Sequence, residues 1–147
     1  MLYLAEAIFN LKRTIMKVQA YLSFKGNCQE ALNFYGNLFD AEIKNRQTYE
    51  DKKIDVPSSY RDKLQHAELH GKNVSFMAYD AAPDTPLNNG NEMHMSIEAD
   101  SENDGRDLFN KLSNGGKVHH DYREREWGFF GRCTDNFGIN WMVNHNK

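Results

Sequence analysis

The chain has 147 residues, of which 39% are hydrophobic and 27% charged, as expected for one ordinary globular domain or two very small fused ones. Its net charge of −3 arises from basic and acidic residues mixed along the chain, which argues against a nucleic-acid partner or an anionic membrane surface. No apolar stretch approaches the roughly 20 residues that a membrane-spanning helix needs.

The N-terminus and the cysteine pattern both predict a cytoplasmic protein. The apolar start of residues 1–15 is interrupted by Glu6 and lacks the long uncharged core of a secretory signal. Met16 resembles a natural start, so residues 1–15 are either an upstream N-terminal extension or a short helix on the body. Cys28 and Cys133 form no CxxC or Cys/His cluster, which favours two reduced thiols over a disulfide framework or a zinc site.

The first half of the chain predicts a β-α-β-β-β unit. Residues 18–24 form a short apolar run typical of a strand, and Asn27 is placed to cap the following helix, with Glu30 completing a capping box. The helix carries one apolar stripe that we expect to pack on a sheet. The later elements are a strand at 41–49, an exposed connection at 50–63, and a hairpin of strands 66–70 and 74–79 that turns at Gly71.

The second half repeats this order after a linker at residues 81–91, which holds two prolines and an Asn-Asn-Gly-Asn run. A helix capped by Asp100 or Ser101 is expected to stop at residues 114–116. The strands of this half are predicted at 94–99, from 117 onward, at 126–133 and at 139–144, with a tight turn at 135–138.

The two halves are similar to each other. Residues 74–80 match residues 139–145, because apolar residues occupy the same positions in both segments. Residues 20–24 and the helix after them match residues 94–98 and the helix after those, at a shift of 74 residues. Such duplication predicts two tandem modules, at about 16–82 and 92–147, in a single domain spanning 16–147. Two such modules enclose a cavity between their sheets.

The chain resembles the PhnB-like branch of the vicinal oxygen chelate (glyoxalase / bleomycin resistance / dioxygenase) superfamily. The resemblance spans residues 16–146 and is carried by residues 26–35, 66–69, 127–131 and 134–144. It implies an α+β fold in which tandem βαβββ modules form curved mixed sheets around a cleft, and a homodimer. Some members carry a demethylubiquinone methyltransferase name, but this sequence shows no glycine-rich phosphate or methyl-donor loop.

The resemblance also places the metal ligands of metal-using members on the first and last strands of each module. The internal repeat puts Ala20, Met77, His94 and Met142 at those positions. Only His94 suits a hard or borderline divalent cation, because alanine has no donor and a thioether binds such ions poorly. We therefore expect no metal and no other cofactor.

Other histidines allow two further interpretations. His66 and Glu68 would share one face of a strand, which is compatible with metal binding and equally with cross-strand polar pairing. His119 and His120 are adjacent, so on a strand they point to opposite faces and cannot chelate together.

The cleft is predicted to be apolar and aromatic, with one titratable group. Its expected ligand-binding residues are Ala20, Tyr21, Met77, His94, Trp127, Phe129 and Met142, the aromatic ones depending on strand phase. Such a lining suits a small apolar or planar molecule, although the same residues would also serve as plain core.

Three hypotheses follow. The first is a small-molecule binding protein without a catalytic metal. The second is a lyase or dioxygenase-type enzyme with a displaced metal site or with His94 as general base. The third is an interaction protein whose cavity is filled by side chains.

Overall fold

A computed structural model of the chain describes residues 16–147, and the predicted extension at residues 1–15 lies outside the described residues. Two β-α-β-β-β modules follow one another, as predicted from the internal repeat. Residues 81–94 contain the predicted linker and carry neither helix nor strand. Over residues 16–147, none of the helices has the length and apolarity needed to cross a membrane.

The first module forms a four-stranded sheet covered by one helix. Its elements are β1 (Tyr21–Phe24), α1 (Cys28–Phe39), β2 (Glu42–Thr48), a short 3-10 helix (Ser58–Tyr60), β3 (Leu64–His70) and β4 (Ser75–Asp80). The strand order is β1-β4-β3-β2. Strand β1 runs parallel to β4, and the other two pairs are antiparallel.

The second module repeats this topology. Its elements are β5 (Met95–Glu98), α2 (Glu102–Ser113), β6 (Lys117–Arg125), β7 (Gly128–Thr134) and β8 (Asn140–Asn146). The strand order is β5-β8-β7-β6, with β5 parallel to β8. The aromatic strand starts at Gly128, two residues later than predicted, because the chain turns between β6 and β7 there. The predicted α+β class and the two mixed sheets are confirmed.

Each sheet has a side packed against its helix and an opposite, open side. Strand residues alternate between the two sides. The helix-side residues join those of α1 and α2 in one core that runs through both modules. Its fully buried members include Leu32, Tyr35, Leu69, Phe76, Leu112 and Val143. The open sides carry side chains that are mostly half-buried or exposed.

The start of α1 corrects the predicted capping box. The side chain of Asn27 makes no capping hydrogen bond. Instead, a carboxylate oxygen of the buried Asp80 accepts from the amides of Gly26 and Cys28, at 2.8 and 2.9 Å, and its other oxygen accepts from Leu64. Asp80, at the end of β4, therefore satisfies the amide of the first helical residue, Cys28, together with that of Gly26 in the preceding loop. In α2 the predicted cap is present, since Ser101 accepts from the amide of Asp104.

A second buried carboxylate joins the modules. One oxygen of Asp135 accepts from the amides of Phe137 and Ile139, which shapes the predicted tight turn. The other accepts from the indole of Trp141 at 2.8 Å and from the hydroxyl of Tyr35 on α1. The helix of the first module is thereby fixed to the turn that begins β8 in the second.

Candidate functional site

A cleft of about 530 Å³ lies between the first strands of the two modules. It is lined by residues 19–22 at β1, 88–90 and 92–95 at the linker and β5, and 138–140 at the start of β8. The side chain of Asn140 donates to the carbonyls of Gly90 and Met93, at 2.8 and 3.2 Å. These bonds hold the linker against β8 and so build one wall of the cleft.

Three of the seven predicted ligand-binding residues line this cleft, namely Ala20, Tyr21 and His94. The carbonyl of Ala20 accepts from the amide of Met77 at 3.1 Å, so Ala20 continues the pairing of β1 with β4. His94 immediately precedes β5 and is half-buried. Over residues 16–147, we find no hydrogen-bonding partner for the imidazole of His94.

The two methionines lie beside the cleft rather than in its lining. Met77 pairs with Tyr21 across β4 and β1, and Met142 pairs with Ser96 across β8 and β5. Both alternate along their strands with helix-side residues, so both side chains lie on the open sides of their sheets. Each forms part of the sheet surface next to the cleft.

The predicted aromatic residues of the second module lie elsewhere. Trp127 is in the turn between β6 and β7, 58% exposed, with its ring 6.4 Å from that of Phe130. Phe129 packs on the helix side, where its ring stacks on Tyr122 at 6.0 Å. The prediction of Phe129 as a cleft residue has the wrong strand phase, and Phe130 is the neighbour on the open side.

The pairing also corrects the register of the repeat. When Met77 is aligned with Met142, their partners Tyr21 and Ser96 become equivalent, a separation of 75 residues rather than 74. The bounds of the first strands and of the helices are both offset by 74 residues, so the offset of 75 appears only in how the first strands pair with the last ones. The predicted equivalence of Ala20 and His94 is therefore wrong by one position.

This register tests whether the residues at the superfamily's metal position fit a metal. The equivalent open-side positions on the first and last strands hold Tyr21, Met77, Ser96 and Met142. Two hydroxyls and two thioethers are a poor donor set for a divalent cation. Across residues 16–147, no three His, Cys, Asp or Glu side chains are arranged to hold a metal ion. The residues present do not fit the metal.

A polar cluster occupies the open side of the first sheet. The hydroxyl of Tyr21 lies 2.5 Å from Nδ1 of His66, which belongs to β3 and is reached across β4. On its other side, Nε2 of His66 lies 3.7 Å from Oε2 of Glu68. The amide of Asn45 donates to that same oxygen, and Nε2 of His70 lies 3.4 Å from Oε1. The two imidazoles thus face different oxygens of one carboxylate and do not converge on a common point.

The surroundings of the cluster keep Tyr21 neutral and Glu68 ionised. Burial raises the pKa of the Tyr21 hydroxyl, with further contributions from Tyr79, Cys28 and Glu68, so Tyr21 keeps its proton at neutral pH. The hydrogen bond from Asn45 lowers the pKa of Glu68, which keeps that carboxylate ionised.

Two of the five members of this cluster were predicted together from the sequence. His66 and Glu68 were predicted to share a strand face, and they do. The contact with Tyr21 was missed because β1 and β3 are separated by β4 in the sheet and by most of the module in the chain. The strand order β1-β4-β3 would have provided the signal.

Comparison with known proteins places the chain among similar sequences and folds. The family model for 3-demethylubiquinone-9 3-methyltransferase matches residues 16–144. Protein YjdN of Escherichia coli K12 is 26% identical over 140 residues, covering 88% of this chain and 95% of YjdN.

Solved structures extend the comparison. Protein PA1353 from Pseudomonas aeruginosa is 32% identical with a TM-score of 0.77, covering 88% of this chain and 98% of that one. A putative 3-demethylubiquinone-9 3-methyltransferase, PhnB protein, from Bacillus cereus shares the fold at 24% identity and a TM-score of 0.77, covering 88% and 99%. A glyoxylase/bleomycin resistance protein/dioxygenase domain from Frankia also shares it, at 13% identity and a TM-score of 0.60, covering 90% and 98%.

Proposed function

The chain belongs to the 3-demethylubiquinone-9 3-methyltransferase family, within the PhnB-like branch of the vicinal oxygen chelate superfamily, and we propose that it binds a small apolar or planar molecule in the cleft between β1 and β5. Binding requires no catalytic metal. The family's descriptive name does not by itself assign methyl transfer to this chain, since one fold serves many chemistries.

The observation that carries this proposal is the lining of the cleft. Leu22, Met95 and Ile139 supply apolar surface from three strands or their ends, and His94 and Asn140 add a few polar groups. Small-molecule sites are concave and mostly apolar, with a small number of polar groups that orient the ligand. A volume of about 530 Å³ is within the range of such sites.

The alternative of a lyase or dioxygenase-type enzyme receives less support. A partner hydrogen-bonded to one ring nitrogen of a histidine fixes its tautomer and orients it as a general base. Within residues 16–147 His94 has none, and the family metal position holds a poor donor set.

We extend the proposal to a homodimer formed through the open sides of the sheets. Glu68 lies on the open side of the first sheet, and Arg132 lies on that of the second, paired with Met142. These opposite charges favour contact between the first module of one copy and the second module of another. Analytical ultracentrifugation is expected to show a dimer for the native protein and a monomer for Arg132→Glu. Arg61 is exposed, and Arg61→Glu serves as the matched control, which should remain a dimer. If the native protein is a monomer, the proposed homodimer is refuted.

The binding proposal is tested with 4-nitroanisole, a neutral planar probe, by saturation-transfer NMR. Ala20→Phe places a ring in the cleft and is expected to abolish the saturation-transfer signal of the probe. Val118→Phe makes the same kind of addition at an exposed position outside the cleft lining and is expected to leave the signal unchanged. Equal signals from the two variants would refute the cleft as the site. A signal that appears only after a divalent cation is added would refute metal-free binding.

A further inference from the structure

Tyr21 belongs to two features at once. It lines the cleft between β1 and β5, and its hydroxyl is the outermost member of the polar cluster on the first sheet. The side chain is 44% exposed, so a molecule in the cleft has access to it. The polar cluster is thereby connected to the cleft through a single hydroxyl group.

The contacts of the cluster favour one direction of proton donation, from Tyr21 to His66 and from His66 towards Glu68. A neutral imidazole has one N–H and one bare nitrogen, and a nearby carboxylate favours the proton on the nitrogen that faces it. Glu68 faces Nε2 of His66, which leaves Nδ1 bare to accept the hydroxyl proton of Tyr21. Asn45 and His70 hold Glu68 in place from its other sides. The lone pairs of the Tyr21 oxygen remain free to accept a second proton.

We propose that Tyr21, His66 and Glu68 form a proton-accepting site for a planar ligand that carries a weakly acidic hydroxyl group, a phenol or an enol. This inference rests on the proposed function, because the ligand must first occupy the cleft. The ligand O–H bond breaks and its proton passes to the Tyr21 oxygen, while the proton of Tyr21 passes to Nδ1 of His66. The ligand remains as an anion, and the resulting imidazolium faces the carboxylate of Glu68. No other reactant is consumed.

The neighbouring rings favour a flat ligand. The ring of Tyr79 stands nearly perpendicular to that of Tyr21, at 87° and 5.2 Å between centroids, and the Tyr21 ring is also edge-on to His66. Met77 lies on β4 between its partners Tyr21 on β1 and Glu68 on β3, where its thioether supplies an adaptable surface. An aromatic or enolic ring has π-faces and edges that suit such contacts.

The test compares 4-nitrophenol with 4-nitroanisole, which has the same ring but no acidic proton. At about one pH unit below the solution pKa of the phenol, only about a tenth of free phenol is ionised. We expect bound 4-nitrophenol to show the visible absorption band of the phenolate. We also expect Tyr21→Phe and His66→Gln to remove that band and weaken phenol binding by about tenfold or more, the worth of one charge-assisted hydrogen bond. Anisole binding should change by less than about twofold.

His120→Gln is the matched control, since His120 lies on β6 of the other sheet and makes no contact with the cluster. The outcomes separate this inference from the function on which it rests. If neither probe binds, the proposed function fails and this inference fails with it. If both probes bind and the phenol stays neutral, or if Tyr21→Phe and His66→Gln leave the phenolate band intact, only the proton-accepting site is refuted.

Discussion

Replacing Asp135 by asparagine tests the joint between the two modules. The carboxylate of Asp135 accepts four hydrogen bonds: two backbone amides on one oxygen, and Tyr35 and Trp141 on the other. Asparagine has nearly the same shape, but its NH₂ group must face one of these donor pairs. The Tyr35 hydroxyl can rotate away, whereas the indole N–H of Trp141 cannot, so a buried donor is left unpaired.

The expected cost follows from these bonds. Losing a charge-assisted hydrogen bond costs about 1.5–3 kcal/mol, and an unsatisfied buried donor adds about 1–3 kcal/mol. We therefore expect Asp135→Asn to lower the free energy of unfolding by about 3–5 kcal/mol, a large part of the roughly 5–15 kcal/mol typical of a domain. At about 3 °C per kcal/mol, the melting temperature should fall by about 10–15 °C.

Urea denaturation provides the measurement, and a double-mutant cycle with Tyr35→Phe isolates the joint. Tyr35→Phe alone is expected to cost about 2 kcal/mol, because its buried hydroxyl donates to a carboxylate. In the Asp135→Asn background it should cost clearly less, since its acceptor has gone. A loss below about 1 kcal/mol for Asp135→Asn, or an equal effect of Tyr35→Phe in both backgrounds, would refute this reasoning.

Three further predictions concern the rest of the body. Gly105→Ala should destabilise the protein in urea by about 1–3 kcal/mol despite the higher helix propensity of alanine, because a Cβ there would lie 2.2 Å from the Tyr122 hydroxyl. Unchanged or increased stability would contradict the close approach. Cys28 and Cys133 are fully buried, and burial raises the pKa of both thiols, that of Cys133 to about 11. A thiol reagent at pH 8 should therefore label neither cysteine in the native protein and both cysteines after unfolding. Burial raises the pKa of the Tyr60 hydroxyl to about 12, whereas its pKa in the unfolded chain is about 10. The protonated hydroxyl therefore contributes fully to the stability of the fold below about pH 10, and this contribution is lost as pH rises from about 10 to about 12. Thermal melts over that interval should show a smaller decrease for Tyr60→Phe than for the native protein, and parallel decreases would count against this assignment.

Local patterns in the sequence were sufficient for the order of the elements. The apolar stripe of α1, the Ser101 cap and the turn at Asp135 each depend on residues a few positions apart. Local patterns do not reveal contacts between residues that are distant in the chain. The amide of Cys28 at the start of α1 is capped by Asp80, more than fifty residues away, which no local motif reveals. The strand phase at Phe129 depended on where β6 turns into β7.

The candidate site was predicted only in outline for the same reason. The duplication predicts a cleft between the two modules, but which face each side chain takes depends on the pairing of the first and last strands, which differs by one residue between the modules. His94 was favoured because it is the one titratable residue among the predicted cleft positions. In the structure it is His66 that has a hydrogen-bonding partner, Tyr21, and a carboxylate 3.7 Å away, that of Glu68. The hydrogen bond of His66 comes from Tyr21 on another strand, which no pattern within β3 reveals.

The register of the two sheets has a consequence for any molecule that enters between them. Although the modules descend from one pattern, their corresponding positions are chemically opposed: Glu68 pairs with Met77 where Arg132 pairs with Met142. In the same way, His66 corresponds to Phe130, and Tyr21 to Ser96. The two modules are thus alike in topology but unlike in charge and polarity, so a bound molecule meets different surroundings in its two opposite orientations.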